Sequence, residues 1–319
     1  MAIMKRNLGL LGFGRMGSRI ARRLTGSGFS VMVFDPRAEV RTQVEEIGAT
    51  WAVDASDIGK VSAVVITVLP GPIELEEALL GSGSAFASMR RGALWLDLTS
   101  GDPRVSQRLV DRAEARGIRC VSAPMGGGPK DAEAGTLKFF VAGNHADVES
   151  CRGVLSKPDG ITMVGQHPGE AQVVKLLANL LWFGQAIAVT EALLFGQSLG
   201  LDPVSVRNAL SRSAGASAFL SDSTDALFSG DYLENFPIGR CVEELDTVGA
   251  LAKQAQSPFG LSTAISDLYR EAFDHFGGVD GELLVAKLLE ERAGRLLRPG
   301  NACGRLPCPE SGAAAVSAC

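Results

Sequence analysis

The sequence predicts an α/β domain built on a largely parallel sheet, followed by an all-helical domain. Three observations carry that expectation. Short apolar runs alternate with amphipathic helical text over the first half. Beyond residue 166 strand signals nearly vanish and long helical segments take over. The length of 319 residues suits two domains of about 100–200 residues each. The expected domains are therefore 1–166 and 167–297. Residues 298–319 are rich in Pro, Gly, Ser, Ala and Cys, carry no helical or strand period, and are expected to be disordered.

Taken in order, strands are expected at 8–12, 30–34, 63–69, 93–98, 119–125, 137–142 and 162–164, with helices such as 16–25 and 103–116 between them. In the second domain helices are expected at 171–199, 203–213, 243–256, 262–276 and 281–297. Asp202-Pro203 reads as an N-cap followed by proline at the first helical position. The 171–199 segment is strongly apolar, but Lys175, Asn179, Gln185 and Glu191 interrupt it too often for a bilayer span. It reads as a long helix buried in protein that also serves an oligomer interface.

Composition narrows the function classes. A net charge of −5 argues against nucleic acid or an anionic membrane as the main partner, and 46% hydrophobic residues exclude wholesale disorder. Cys120, Cys151 and Cys241 lie scattered in apolar text, and Cys303, Cys308 and Cys319 have no histidine nearby. Neither a disulfide scaffold nor a metal site is expected, and the chain reads as cytoplasmic. Lys5, Arg6, Arg15, Arg19, Arg22 and Arg23 give the start the look of a transit peptide. Cleavage there would remove Gly12, Gly14 and Gly17, so that reading is rejected.

Three constellations carry chemistry. The first is Gly12-Phe13-Gly14-Arg15-Met16-Gly17, placed after a strand and before a helix. Glycines there allow a tight turn and close approach to a pyrophosphate, and the helix N-terminus offers free N–H groups. Asp35 ends the next strand, where a carboxylate accepts hydrogen bonds from ribose hydroxyls. These seven residues are expected to bind a dinucleotide. Asp35 would repel a 2′-phosphate, so NAD is preferred over NADP by about an order of magnitude or more, although Arg37 works against that preference.

The second is Gly126-Gly127-Gly128 with Lys130. Successive glycine N–H groups form an anion nest, suited to a substrate carboxylate, and Lys130 adds positive charge. The third is Lys175 with Asn179, one turn apart on one face of the long helix. Apolar neighbours at 173, 174, 176, 177, 180 and 181 surround this lysine. Such burial favours the neutral, proton-accepting form of an amine, which suits acid–base chemistry. Glu191, sixteen residues on, lies about 160° round the helix and is expected to be structural.

Together these residues resemble the β-hydroxyacid dehydrogenases, the family of 3-hydroxyisobutyrate dehydrogenase and tartronate semialdehyde reductase. The glycine turn is similar to that family's GLGxMG fingerprint. Val68-Leu69-Pro70 and Asp97-Leu98-Thr99-Ser100 with Pro103 resemble its two loops beside the cofactor. Ser122-Ala123-Pro124-Met125-Gly126-Gly127-Gly128 and Gly135-Thr136-Leu137 resemble its substrate loop, and Lys175 to Asn179 its KxxxN element. The resemblance implies a Rossmann-type dinucleotide-binding domain followed by an all-helical domain, and a homodimer or homotetramer formed through the latter. It implies hydride transfer between NAD(H) and a small β-hydroxyacid or its semialdehyde, with Lys175 as general acid/base and Asn179 orienting substrate. Leu69, Pro70, Thr99 and Ser100 would then lie at the cofactor, and Ser122 at the substrate.

Two departures bear on the substrate. Gly126 stands where the family has serine, and Glu243-Glu244-Leu245 stands where it has Lys-Asp-Leu. Glu243 would reverse the charge at that position and disfavour a small dianion. The alternatives are an imine reductase of the related fold, which Lys175 argues against, and a dehydrogenase-like binding protein without catalysis.

Overall fold

The computed structural model describes residues 7–155, 160–234, 236–257 and 259–299. Lys5, Arg6 and residues 300–319 of the expected tail lie outside the described residues. The chain divides into two compact units, Met1–Leu177 and Ala178–Cys319.

The first unit alternates strands and helices. In order they are β1 (Asn7–Leu11), α1 (Arg15–Gly26), β2 (Ser30–Phe34), α2 (Arg41–Glu46), β3 (Thr50–Trp51), α3 (Ala55–Val61), β4 (Val64–Thr67), α4 (Pro72–Leu80) and α5 (Ala85–Ser88). There follow β5 (Leu94–Asp97), α6 (Pro103–Glu114), β6 (Arg119–Ser122), β7 (Met125–Gly126), α7 (Pro129–Ala134), β8 (Lys138–Gly143), α8 (His145–Cys151) and β9 (Ile161–Gly165). The sheet runs β3-β2-β1-β4-β5-β6-β8-β7, with β9 also on β8. The first six of these are parallel neighbours, while β8 pairs antiparallel with β6 and β7. Every position of β4 and β5 is buried, as strands covered on both faces require.

Two local features escape the strand pattern. β3 is a two-residue strand, too short to show any period. The expected strand at 119–125 breaks into β6 and β7 around Ala123-Pro124, where proline has no N–H for the ladder.

The strand order reverses direction between β1 and β4, and a crevice at the carboxyl ends of such strands is where open α/β sheets bind ligands. The glycine turn follows β1, Leu69 and Pro70 follow β4, Thr99 and Ser100 follow β5, and Gly126 to Gly128 follow β6. The sheet therefore gathers four separate sequence motifs on one edge.

Helix α9 (Pro168–Ser198) opens in the first unit and continues in the second. The division falls eleven residues later than the sequence boundary at 166/167. Ala171, Gln172 and Leu176 are the reason, since all three are buried and Gln172 bonds to the ends of β5 and β6. The expectation of a helix buried in protein holds only in part. Val173, Leu177, Leu181 and Phe195 are exposed, leaving an apolar face open along α9.

The second unit continues with α10 (Pro203–Leu210), α11 (Ala218–Asp222), α12 (Thr224–Ser229), α13 (Ile238–Gln254), α14 (Gly260–Phe276) and α15 (Leu284–Ala293). Asp202 caps α10 by accepting from Ser205 N at 2.9 Å, as Asp-Pro at that point implies. α13 starts five residues ahead of the expected 243, because Ile238, Cys241 and Val242 supply its buried face. The core joins Phe183, Phe219, Ile238, Cys241, Leu245, Tyr269 and Leu283.

The end of this unit is fastened by a buried acid. Glu290 accepts from Tyr232 Oη at 2.5 Å, Leu297 N at 2.7 Å and Arg298 Nη1 at 3.1 Å. Arg298 also donates to Leu227 O at 2.7 Å. Arg298, expected as the first residue of the disordered tail, thus belongs to the folded unit.

Candidate active site

The glycine turn is shaped by contacts that forbid side chains. Gly12 has φ +99°, and a Cβ on it would meet Val68 O at 2.2 Å. A Cβ on Gly17 would meet Gly12 O at 2.2 Å. Gly14 differs: nothing of the protein lies within 4 Å of where its Cβ would stand, so the space over it is open. Gly14 is the N-cap of α1, supplies no side-chain cap, and no acid occupies the first turn. The helix thus presents N–H groups and a partial positive charge with no side-chain acceptor at its cap. Open space above Gly14 and an uncapped helix end fit a dinucleotide pyrophosphate. Arg15 is exposed and Met16 half-buried behind it, while Phe13 is buried beneath the turn.

Asp35 stands at the end of β2 with 5% exposure. One carboxylate oxygen accepts from Phe13 N at 2.8 Å, which ties it to the glycine turn. Arg37 takes hold of both oxygens, Nε at 2.8 Å and Nη2 at 3.0 Å. Burial alone would push this carboxyl up, but the Arg37 ion pair and the backbone N–H groups of Phe13 and Arg37 outweigh it. The net effect holds Asp35 below the ordinary carboxylate range.

Beyond β5 lies a buried polar network. Asp97 is 1% exposed; its Oδ1 accepts from Thr67 Oγ1 at 2.8 Å and Thr99 N at 3.0 Å. Thr67 in turn accepts from Trp95 Nε1 at 3.0 Å. Burial pushes the Asp97 carboxyl up to about 6, against the pull of Thr67, Thr99 and Gln172 in the other direction. Thr99 Oγ1 accepts from Leu69 N at 3.2 Å, joining the loops after β4 and β5. Pro70 is exposed and Ser100 half-buried beside them.

The residues expected at the substrate are distributed unevenly. Gly127 has φ +105°, and the Gly128 N–H is donated to Asp131 Oδ2 at 2.8 Å, the third residue of α7 reaching back to its N-cap while glycine has no side chain to return the bond. The expected nest of three N–H donors at 126–128 is therefore reduced: Gly128 is engaged by Asp131, and Gly126 belongs to β7, paired with Lys138 of β8. Asp131 was not foreseen, although its place three residues after the cap is the signal that would have found it. Lys130 is exposed at the start of α7, and α7 is tied to α1 by Arg19 and Glu133 at 2.9 Å. Ser122 is buried, and its hydroxyl accepts from Gln172 Nε2 at 3.1 Å, a bracing contact inside the network. Lys175 is half-buried in the first unit, three residues after Gln172.

Asn179 and Glu243 belong to the second unit. Asn179 Nδ2 donates to Glu244 Oε2 at 2.5 Å, whereas Glu243 is exposed and paired with Arg240 at 2.6 Å. Of the two adjacent acids it is Glu244 that meets the KxxxN asparagine. One residue turns a helix by about 100°, enough to exchange a contact for solvent.

These features define an NAD(P)-dependent dehydrogenase of the CH–OH group: a dinucleotide-binding sheet, the lysine at the opening of α9 in the same unit, then a helical unit. A family described as the NAD binding domain of 6-phosphogluconate dehydrogenase matches residues 7–165. One described as the NAD-binding part of NADP-dependent 3-hydroxyisobutyrate dehydrogenase matches residues 169–289. The chain belongs to the β-hydroxyacid dehydrogenase family, of the 3-hydroxyisobutyrate dehydrogenase type. It is 27% identical to L-threonate dehydrogenase of Cupriavidus necator, over 89% of this chain and 96% of that one. It is 29% identical to 3-hydroxyisobutyrate dehydrogenase of Pseudomonas aeruginosa, over 86% and 95% respectively. The solved 3-hydroxyisobutyrate dehydrogenase of Mycobacterium tuberculosis with L-serine superposes with TM-score 0.81 at 23% identity, covering 90% of this chain and 99% of that one.

Proposed function

We propose that this enzyme interconverts a small β-hydroxyacid and its semialdehyde, with Lys175 as general acid/base and NAD preferred to NADP. The observation that carries the reading is that Lys175 belongs to the unit that forms the dinucleotide turn, three residues beyond an amide bonded to the end of β5. The N-terminus of α1 and the open space over Gly14 would hold the pyrophosphate, and Asp35 the ribose. When bound, the nicotinamide supplies the hydride acceptor. Lys175 Nζ takes the hydroxyl proton as the carbonyl forms, and returns it in the reverse direction. Asn179 orients the substrate. Because Asp131 engages Gly128, the substrate carboxylate falls to Gly127 and Lys130. The acid at Asp131, beside Gly127 and Gly128, favours monoanionic over dianionic substrates.

The apolar face of α9 at Leu181 and Phe195 supports association into a homodimer or homotetramer. Cys120, Cys151 and Cys241 are buried free thiols, which supports a reducing, cytoplasmic setting.

The test is a panel of L-threonate, 3-hydroxyisobutyrate and sulfonated and phosphonated analogues, each with NAD and with NADP. Oxidation of a monoanionic β-hydroxyacid with NAD is expected, and Lys175→Ala is expected to lower kcat by about 10²–10⁴-fold. Retained turnover in the folded variant would overturn the role of Lys175. Reduction of cyclic imines with no alcohol oxidation would favour the imine reductase reading, and cofactor binding without turnover the non-catalytic one.

A further inference from the structure

Gln172 lies three residues ahead of Lys175 on α9 and is 1% exposed. Its Nε2 is 2.8 Å from Thr99 O, 3.1 Å from Ser122 Oγ and 3.4 Å from Asp97 Oδ2. Its Oε1 accepts from Gly101 N at 3.0 Å. The amide has two hydrogens for three acceptors, so Thr99 and Ser122 take the short bonds and Asp97 the long one. One side chain thereby joins the ends of β5 and β6 and the loop after β5 to the first turns of α9.

We propose that Gln172 is a positioning residue for proton transfer: its amide locks the opening of α9 onto the carboxyl ends of β5 and β6 and so fixes where Lys175 stands. The proposal rests on the acid–base reading of Lys175. Two arguments favour it over a merely stabilising amide. First, three residues advance a helix by about 4.5 Å and turn it to within about 60° of the starting direction, so a tilt about Gln172 is carried to Lys175. Second, apolar packing at the opening of α9 is thin. Pro168, Ala171 and Leu176 are buried, but Val173 and Leu177 are exposed, and the amide is the side chain that hydrogen-bonds this stretch to the strand ends. The groups it grips, Thr99 and Gly101, flank the loop on which the family resemblance places the cofactor. The same amide thus sets the proton-transfer helix against the loop on the cofactor side. A glutamate here would keep the shape and lose both donors, and would set a second acid against Asp97.

The experiment measures Gln172→Ala and Gln172→Asn with the hydroxyacid of the panel that the wild type oxidises fastest, alongside Lys175→Ala. Displacement of a reacting group by about 1 Å costs on the order of 10²-fold in rate. Gln172→Ala is expected to stay folded and to lower kcat by about 10–100-fold. Its KM and its NADH dissociation constant, read by fluorescence, are expected to stay within about threefold. The solvent deuterium isotope effect on kcat is expected to rise, because proton transfer becomes slower than the steps around it. Gln172→Asn, which keeps an amide in the cavity, is expected to fall between the two and serves where the alanine variant does not fold. Unchanged kcat in a folded variant would overturn the proposal. So would a loss of rate that follows the folded fraction with an unchanged isotope effect. If Lys175→Ala is itself active, the acid–base reading fails; if it is inactive while Gln172→Ala is normal, the positioning proposal alone fails.

Discussion

Each unit buries a carboxylate, and the two are held by different chemistry. In the first unit Asp97 draws its hydrogen bonds from neutral donors: Thr67 Oγ1, Thr99 N and Gln172 Nε2. In the second unit Glu290 has the Arg298 guanidinium as well as a phenol and a backbone N–H. A buried acid with a cation closes a domain, because removing either partner strands the other. A buried acid among neutral donors resists ionisation, and its charged form weakens the fold that contains it. The arrangement without a cation stands at the strand ends where open α/β sheets bind ligands, and the ion-paired one near the last described residues. Local strain and unfavourable burial collect at working sites, and this molecule follows that division.

The largest expected effect breaks the second arrangement. Arg298→Ala leaves Glu290, whose side chain is 0% exposed, without its cation, and is expected to destabilise the second unit by about 3–5 kcal/mol in urea unfolding. Combining Glu290→Gln with Arg298→Met removes both charges and is expected to recover much of that loss. A loss below about 1 kcal/mol for Arg298→Ala would make the pair equivalent to a surface ion pair and remove the contrast.

The second effect tests Asp97 by pH. Its folded value of about 6 lies above the roughly 3.9 of an unfolded aspartate, so the folded state binds more protons between these values. Its contribution is full below about pH 4 and is lost as pH rises towards 6, a change of about 3 kcal/mol. Asp35, Asp54 and Asp102 are lowered and act in the opposite sense, which a difference between proteins cancels. Wild-type stability minus that of Asp97→Asn is therefore expected to fall by about 2 kcal/mol between pH 4 and pH 7. A flat difference would show that Asp97 does not titrate in this window.

How much of this was legible in the sequence depends on the reach of each contact. The glycine turn and the strand before Asp35 could be read because a strand, six residues and a helix are consecutive. Gln172 could not: its partners Asp97, Thr99 and Ser122 lie 75, 73 and 50 residues away and meet it only through the order of the sheet. Glu244 was adjacent to the residue named, but the phase of α13 is set by the burial of Cys241, Val242 and Leu245, not by local text. Which face of α9 lies exposed could not be read, because an apolar helix looks the same whether or not something covers it. Asp131 was within reach, since a cap and its acid three residues on form a local signal.

The smallest expected effect concerns Asp35, which stands between the two cases: it is buried in the first unit, yet paired with an arginine whose side chain is 51% exposed. That exposure makes Arg37 a poor structural clasp and a good ligand group, since a half-exposed guanidinium can leave one carboxylate oxygen and meet a phosphate. Arg37→Ala is expected to leave stability within about 1 kcal/mol, because exposed pairs contribute little. Its consequence falls on cofactor choice. Without Arg37 the Asp35 carboxylate is uncompensated, and a 2′-phosphate meets repulsion with no nearby cation to offset it. NAD affinity is expected to change by less than about threefold, while the NAD-to-NADP ratio of kcat/KM rises by about tenfold. Kinetics with both cofactors and a urea titration decide it together. A large loss of stability with an unchanged cofactor ratio would place Asp35 and Arg37 with Glu290 and Arg298, as a clasp rather than a selector.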